Sequence, residues 1–304
     1  MKNFQIINRI KSLYINKGQN IIKALRKAET RNDNTIEDIL ISYDIQAGSY
    51  TKQYLHNKAF KELYDQRAVR FAEVLNKYSD INSILDVGIG EATNMRGILQ
   101  NISRVPEYVL GMDISWSRLK FAKNFLTNKN IGVKLFTADL FEIPLLDNSV
   151  DLVYTQGAIE PNGGRETEAL TELYRVTNKY LVLIEPDFEN ASNEARERMK
   201  QHGYVQGFHN KALELGYNVV EYRPWFSDTT CYSLIVIKKE PNKSNHPVLV
   251  CPVTHSALEN HNDSLLYSKD SMLAYPVIDE IPCLLKSNAV LAVHLETDYS
   301  EFIK

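Results

Sequence analysis

One stretch of the chain combines residue types that could hold a nucleotide-like ligand. The sequence ILDVGIGEATN, residues 84–94, places Asp86, Gly88 and Gly90 directly after the apolar residues of a predicted buried strand. Glycines at this spacing permit a tight turn and let a ligand approach the backbone before the next helix begins. Dinucleotide-binding loops carry a third glycine, where this chain has Thr93. The spacing therefore indicates a nucleoside-containing ligand more than a nicotinamide dinucleotide.

Two further acidic residues follow predicted strands in the same way. Asp113 ends the strand in YVLGMDIS, residues 108–115, and Asp139 ends the strand in FTADL, residues 136–140. Ligands bind open parallel sheets in the crevice at the carboxyl ends of the strands. Because three successive strands end in an acid, we expect Asp86, Asp113 and Asp139 to surround one ligand.

These motifs resemble those of the class I S-adenosylmethionine-dependent methyltransferases, whose first motif is an acidic residue followed by Gly-x-Gly at the end of the first strand. The resemblance implies S-adenosyl-L-methionine as cofactor and a doubly wound, seven-stranded, Rossmann-like α/β sheet. It also implies that Asp113 binds the ribose hydroxyls and that Asp139 contacts the adenine amino group. The other cofactor-binding residues that it implies are Tyr43, Tyr50, Asp86, Gly88, Gly90, Ile114, Leu140 and Gln156.

Alternating strands and helices must position these residues. Residues 149–160, SVDLVYTQGAIE, are similar to the family's fourth strand and its loop, and residues 180–188 supply a fifth strand. Residues 193–217 predict two helices broken at Gly203, and NVVEYRPWF and CYSLIVIKK predict an edge hairpin. The remaining helices are predicted over residues 60–78, 93–101, 117–127 and 165–176.

The N-terminal region is predicted to be helical. Residues 1–31 carry eight Lys or Arg against the single acid Glu29, with apolar residues between them. Such a basic amphipathic arm packs on the catalytic domain or on a second subunit in a homodimer, or contacts an anionic membrane surface or a polyanionic substrate. Residues 36–55 resemble the helical cover that many of these enzymes lay over the cofactor, and they contain Tyr43 and Tyr50.

The C-terminal region carries a second resemblance. A polar stretch over residues 238–247 predicts a linker, and residues 247–286 resemble the small zinc-ribbon-related domain whose stand-alone members activate tRNA and protein methyltransferases. Zinc prefers thiolate or imidazole ligands, and three of the family's four cysteine positions hold other residues, so we predict a metal-free α+β domain. The positions concerned are Cys251, Thr254, Ser268 and Ser271, and His255 and His261 are predicted to be surface residues. This domain is expected to pack on the catalytic domain or to pair chains, with tRNA recruitment as the alternative.

Composition sets limits on the whole chain. With 304 residues, 44% of them hydrophobic, the chain is long enough for more than one domain. We predict an arm and cover over residues 1–59, a catalytic domain over 60–240, a small domain over 247–286 and a tail over 287–304. The three cysteines predict no disulfide framework and favour the cytoplasm, and no apolar run reaches the ~18 residues of a membrane span, so stable membrane insertion is not expected.

Proton removal from an acceptor would need a base near the cofactor. Glu160 follows the fourth strand, and His202 and His209 belong to the following helices, so these three are the catalytic candidates. Glu185 and Asp187, after the fifth strand, are further candidates. The loop GAIEPNGGRE lacks the acid or amide, two prolines and aromatic residue with which amino-methylating nucleic-acid enzymes of this fold hold a flipped base.

The sequence therefore predicts methylation of O or N on a small polar acceptor. A sugar or sugar-nucleotide of surface-glycan biosynthesis is the preferred class, and DNA is not expected to be a partner. One alternative is an adaptor that binds tRNA or a partner protein through the C-terminal domain. The other is an enzyme that transfers a different group from a modified S-adenosylmethionine.

Overall fold

The computed structural model describes residues 7, 10–12, 14, 20–78, 80–127, 132–225, 231–242 and 246–297. The helices are α1 (Ile21–Ala28), α2 (Ile36–Gln46), α3 (Ser49–His56), α4 (Lys58–Leu75), α5 (Thr93–Asn101), α6 (Trp116–Thr127), α7 (Glu166–Val176), α8 (Asn193–His202) and α9 (Phe208–Glu214). The strands of the larger sheet are β1 (Ser83–Val87), β2 (Tyr108–Asp113), β3 (Lys134–Thr137), β4 (Val150–Gln156), β5 (Thr177–Pro186), β6 (Asn218–Trp225) and β7 (Tyr232–Lys238). The smaller sheet holds β8 (Glu259–Asn262), β9 (Leu265–Ser268), β10 (Leu273–Ile278), β11 (Ile281–Pro282) and β12 (Val290–Leu291).

The larger sheet has the predicted doubly wound arrangement. Its strands lie in the order β3-β2-β1-β4-β5-β7-β6. Strands β1 to β5 pair in parallel, whereas β7 runs antiparallel to both β5 and β6 and completes the predicted edge hairpin. All residues of β1 are buried, as expected of a strand with helices on both faces of its sheet. Because the strand order reverses between β1 and β4, a crevice opens at their carboxyl ends.

Local sequence explains where the helices begin and end. Thr35 and Asp38 form a reciprocal capping box that starts α2. Ser192 caps α8, and that helix ends at Gly203, whose φ of +67° suits glycine. The helical break predicted at Gly203 is therefore confirmed.

Helices α2 and α3 lie over the sheet's crevice side, as the cover predicted over residues 36–55 would, and α1 packs on α2. Ile10, Ile21, Leu25 and Ile41 form a small apolar cluster that joins α1 to α2. Residues 1–6, 8, 9, 13 and 15–19 of the predicted basic arm lie outside the described residues, so the amphipathic character of the whole arm stays a prediction.

The C-terminal unit, residues 246–297, is built from the five short strands β8 to β12. Within these described residues there are strands and one 3₁₀ turn, at Lys286–Asn288, instead of the helix that an α+β domain requires. Its strands are joined by connections too short for a helix. Strand pairing continues past residue 286, because Val290 pairs with Ala274.

This unit packs on the edge of the larger sheet beside β3. The backbone N–H of Leu284 donates to the carbonyl of Thr137 at 3.0 Å, and the N–H of Val250 donates to the carbonyl of Pro144 at 3.0 Å. Both units contribute to one apolar cluster, in which Leu284 lies with Phe136. The packing role predicted for this unit therefore has a direct structural basis.

Candidate active site

A cleft of about 360 Å³ opens at the carboxyl ends of the parallel strands. Helices α2 and α3 cover it, and the loops after β1, β2, β3 and β4 form its floor. Ten of the residues predicted for the site line it: Tyr43, Tyr50, Gly88, Gly90, Asp113, Ile114, Asp139, Leu140, Gln156 and Glu160. Residues far apart in sequence therefore meet around one cavity.

The glycine turn after β1 needs its glycines. Gly88 and Gly90 adopt φ angles of +80° and +57°, which side chains disfavour. A Cβ atom on Gly88 would lie 2.3 Å from the Cβ of Ala158, so any side chain there would push the loop after β4 away. The turn is held to β2 because the N–H groups of Gly88 and Ile89 both donate to the carbonyl of Met112.

Asp113 and Asp139 lie where strand ends present acids to the cleft. The Asp113 carboxylate accepts from the N–H groups of Gly90 and Ser115, each at 2.9 Å. Asp139 accepts from the N–H of Phe141 at 3.0 Å. Burial raises the pKa of both carboxyl groups, although the backbone hydrogen bonds oppose the rise. Fixed acceptors of this kind can bind hydroxyl and amino groups of a nucleoside.

Asp86, which stays a cofactor-binding prediction, lies behind the residues that line the cleft. Its side chain is outside the cleft lining and accepts a hydrogen bond from the hydroxyl of Tyr154 at 2.7 Å. Burial and the nearby Asp113 raise the pKa of Asp86 to about 7, against the hydrogen bond from Tyr154. This hydrogen bond joins β1 to its neighbour β4 outside the cleft lining. Strand alternation explains this, since an acid within a strand points into a face of the sheet.

Glu160 lies in the cleft beyond the glycine turn. Burial raises the pKa of its carboxyl to about 7, although a hydrogen bond from Tyr204 and the charges of Arg198 and Arg67 oppose the rise. Its neighbour Glu185 accepts from the N–H of Ala158 at 3.0 Å and has a pKa raised to about 8, by burial first and then by Glu160. Glu185 holds the loop that presents Glu160.

The other predicted bases lie away from the cleft lining. His209 stacks on Tyr222 with ring centres 3.9 Å apart, and the hydroxyl of Tyr222 donates to Asp187 at 3.1 Å. The carbonyl of His202 accepts from the side chain of Asn34 at 3.1 Å, at the end of α8. These three stay catalytic predictions, but the geometry brings only Glu160 to the cofactor side.

The prediction from sequence passed over two charged residues that shape the cleft. Glu91 is buried and accepts from the N–H of Gly48 at 2.9 Å and from the N–H and hydroxyl of Thr51 at 2.7 and 2.6 Å. It thereby ties the start of α3 to the glycine turn. Arg118, in the first turn of α6, is 9% exposed and also lines the cleft. Glu91 could be suspected from its place after Gly90, whereas no local signal marks Arg118.

The residues present fit an adenosine-containing cofactor. The side-chain oxygens of Asn94 and Gln156 are buried in the cleft lining and have no hydrogen-bond partner among the described residues. Buried polar groups normally have hydrogen-bond partners, so these oxygens are available to accept hydrogen bonds from a ligand. Together with the glycine turn and Asp113, they form a cradle of acceptors for a cationic, hydroxyl-bearing molecule.

Comparison with known proteins assigns this cradle to a class. The methyltransferase domain family matches residues 84–180, which run from β1 into β5. The protein is an S-adenosylmethionine-dependent methyltransferase. The methyltransferase is also similar to the crystal structure of magnesium protoporphyrin IX methyltransferase from Synechocystis PCC 6803 with bound SAH. The TM-score is 0.52, identity is 13%, and the match covers 66% of this chain and 99% of that one. At this identity the likeness shows the fold.

A second comparison concerns a shorter segment of the methyltransferase. Forty-three residues, 14% of the chain, are 49% identical to a UPF0434 protein of Neisseria meningitidis and cover 72% of it. The same length is 51% identical to a UPF0434 protein of Albidiferax ferrireducens, also covering 72%. This segment belongs to the UPF0434 family.

The described residues contain neither a helix that could span a membrane nor a cluster of side chains that could hold a metal ion. None of the helices in the described part of the chain is long and apolar enough to cross a membrane. Among the same residues, no group of three or more His, Cys, Asp or Glu side chains is arranged to hold a metal ion. In the C-terminal unit, the Cys251 thiol instead contacts the hydroxyls of Ser271 and Tyr275 at 3.4 and 3.3 Å.

Proposed function

We propose that the enzyme transfers a methyl group to an oxygen or nitrogen of a small polar acceptor, with Glu160 as the base. The observation that carries this proposal is the placement of Glu160, an enclosed carboxyl with a pKa raised to about 7 in a cleft that fits the cofactor. A base with a pKa near the working pH accepts a proton efficiently, and a substantial fraction of it is still the carboxylate. Such a group suits a hydroxyl or ammonium acceptor, each of which must lose a proton.

The division of labour in the cleft follows from its geometry. The bound cofactor supplies an electrophilic methyl group on a sulfonium. Asp113 and Asp139 would hold its nucleoside, and the cover helices with Tyr43 and Tyr50 exclude water from the reacting groups. Glu160 then orients the acceptor and takes its proton. Alignment and desolvation supply most of the rate enhancement in such a reaction.

The acceptor side of the cleft supports a sugar-linked, anionic molecule. The aromatic residues there present both apolar ring faces and hydroxyl groups, and two arginines add positive charge. They are Tyr43, Tyr64, Tyr204, Trp225, Tyr232, Arg67 and Arg198. We therefore place sugar phosphates and sugar-nucleotides of surface-glycan biosynthesis first among acceptor classes.

Transfer of a labelled methyl group to a panel of acceptors tests this function. The panel compares neutral sugars, sugar phosphates, sugar-nucleotides and small amines, using the full chain. We expect product with an anionic sugar, and a rate about 100-fold lower for Glu160→Gln. The exposed Glu168→Gln serves as the control. Equal rates for Glu160→Gln and the wild type would remove Glu160 from the reaction, and no product with any acceptor would refute the proposed substrate class.

A second proposal concerns the C-terminal unit. We infer that it is the UPF0434 segment, because the unit has the matching size and a fold separate from the methyltransferase domain. Its shared apolar core with β3 supports a packing role. An adaptor for tRNA or a partner protein is the rival function. If it is correct, the Asp113→Ala variant should still bind the partner in a binding assay.

The free thiols of Cys231, Cys251 and Cys283 support a cytoplasmic location.

A further inference from the structure

Arg118 is a buried cation, and two of its three side-chain nitrogens have no hydrogen-bond partner among the described residues. It belongs to the first turn of α6, is 9% exposed and lines the cleft. Its Nε and Nη2 atoms are buried and have no hydrogen-bond partner among the described residues. Burying a guanidinium without partners is costly, so a site that keeps one is normally completed by an anion.

The neighbouring acids leave Arg118 without a direct partner. Asp113 attracts its charge, but both carboxylate oxygens already accept backbone N–H groups, from Gly90 and Ser115. Glu91 is likewise occupied by the N–H groups at the start of α3. These acids keep the guanidinium charged at a distance and leave its N–H groups for a ligand.

Two aromatic rings hold the guanidinium in place. Its central carbon lies 4.6 Å from the ring centre of Tyr43 and 4.9 Å from that of Tyr50. Stacking of this kind fixes the plane of an arginine and leaves the N–H fork at its edge available for a carboxylate or phosphate. Tyr43 belongs to α2 and Tyr50 to α3, so both cover helices contribute to this arrangement.

The glycine turn brings a ligand within reach of this fork. A Cβ atom on Gly90 would lie 3.2 Å from Nη1 of Arg118, so the guanidinium lies directly against the turn that a ligand approaches. A molecule held by the turn and by Asp113 would therefore present its charged groups next to Arg118.

We propose that Arg118, stacked between Tyr43 and Tyr50, is the anion-binding residue of the cleft and holds a carboxylate or phosphate of a bound ligand. Two molecules can bring this chemistry: the cofactor, through its amino-acid carboxylate, or the acceptor, through its anionic group. The second case rests on the function proposed above. The bidentate geometry of arginine suits either group.

Binding measurements on the full chain separate the two sources. The ligands are S-adenosylhomocysteine, 5′-methylthioadenosine, which lacks the amino-acid carboxylate, and inorganic phosphate, read by calorimetry and by the melting temperature. The variants are Arg118→Met and, as control, Arg96→Met. Arg96 also has a buried Nε and lies over the rings of Tyr54 and Phe125, but it is outside the cleft lining.

If Arg118 binds the carboxylate of the cofactor, Arg118→Met should bind S-adenosylhomocysteine about tenfold or more weakly and should bind 5′-methylthioadenosine as the wild type does. If Arg118 binds the anionic group of the acceptor, Arg118→Met should bind both nucleosides as the wild type does. Phosphate should then raise the melting temperature of the wild type but not that of Arg118→Met. Arg96→Met keeps wild-type binding in either case. If Arg118→Met fails to fold, Arg118→Lys, which keeps the charge without the fork, must show the same pattern with a smaller loss.

Two results would overturn the proposal. In one, Arg118→Met binds all three ligands as the wild type does. In the other, it loses affinity for both nucleosides equally, which indicates damage to the fold. Neither readout depends on methyl transfer, so failure of the proposed acceptor class leaves this test intact.

Discussion

At the scale of single residues, two neighbouring carboxyl groups bear on the proposed chemistry: Glu160 in the loop after β4 and Glu185 in β5. Burial raises the pKa of Glu160 to about 7 and that of Glu185 to about 8, and Glu160 adds to the second rise. The neighbouring groups divide the work, since Glu185 is bonded to backbone N–H groups and Glu160 faces the cleft. Of these two carboxyl groups, Glu160 is the one that lines the cleft, which is why we propose it as the base.

The pH dependence of methyl transfer follows from this assignment. Glu160 can accept a proton only in its ionised, carboxylate form. Activity should therefore rise with pH through about 7 and then level off. Glu160→Gln should lower the rate and remove this rise, whereas Glu168→Gln should keep it. Initial rates between pH 5.5 and 8.5 at saturating cofactor measure both variants. A rate that falls through the same range in the wild type would assign Glu160 the role of an acid.

Some of the site could be predicted because its signals are local. Asp113 and Asp139 each end a strand, and the glycine turn follows β1, so one short stretch of sequence identifies each. Arg118 could not be predicted, because its burial depends on cover tyrosines from distant parts of the chain. His202 is predicted from its residue type alone. Residue type does not determine whether a side chain at the end of a helix faces the cleft, and His202 is outside the cleft lining.

At the scale of elements, the cover helices α2 and α3 are hydrogen-bonded to the loops that form the floor of the cleft. Glu91 joins the glycine turn to the start of α3, and Asp44 of α2 accepts from the hydroxyls of Ser115 and Ser117 at 2.9 and 2.8 Å. Thr51, the other partner of Glu91, precedes it by 40 residues, which is why the sequence gives no sign of the contact. Cover and cofactor loops are therefore coupled, and loosening one should loosen the other.

Glu91→Ala should weaken both stability and cofactor binding. It removes the acceptor of several buried hydrogen bonds, so we expect a loss of about 2–4 kcal/mol in the free energy of unfolding. Affinity for S-adenosylhomocysteine should fall, and limited proteolysis should cut within residues 47–56. Urea denaturation, calorimetry and peptide mapping measure these effects, with the exposed Glu73→Ala as control. Identical behaviour of the two variants would show that Glu91 does not anchor the cover.

At the scale of the whole molecule, two units share one apolar core. Strand order in the larger sheet followed from the predicted sequence of elements, because strand-helix alternation allows few arrangements. The docking of the C-terminal unit on β3 could not be predicted, because backbone pairs such as Leu284 with Thr137 leave no pattern in the residue types. Within this unit the Cys251 thiol contacts the hydroxyls of Ser271 and Tyr275.

A substitution in the C-terminal unit should therefore destabilise the methyltransferase domain. Leu284 is fully buried in the shared cluster, so Leu284→Ala should cost about 2–5 kcal/mol. Leu291, which is 70% exposed in the same unit, provides the control, with a change within about 0.5 kcal/mol for Leu291→Ala. Tryptophan fluorescence during urea denaturation is a suitable probe, because Trp225 belongs to β6 of the larger sheet and Trp116, in α6, donates to the carbonyl of Ile278 in the C-terminal unit. An unchanged midpoint for Leu284→Ala would mean that the units unfold independently.

The most direct test of the whole account is calorimetric titration of the full chain with S-adenosylmethionine, S-adenosylhomocysteine and NAD. We predict that the wild type binds the two sulfur nucleosides and not NAD. Asp113→Ala should weaken that binding about tenfold or more, because it removes the acid that we propose to bind the ribose. The exposed Asp263→Ala should bind as the wild type does. Binding of NAD in place of the sulfur nucleosides, or equal affinity in Asp113→Ala and the wild type, would contradict the assignment of this cleft.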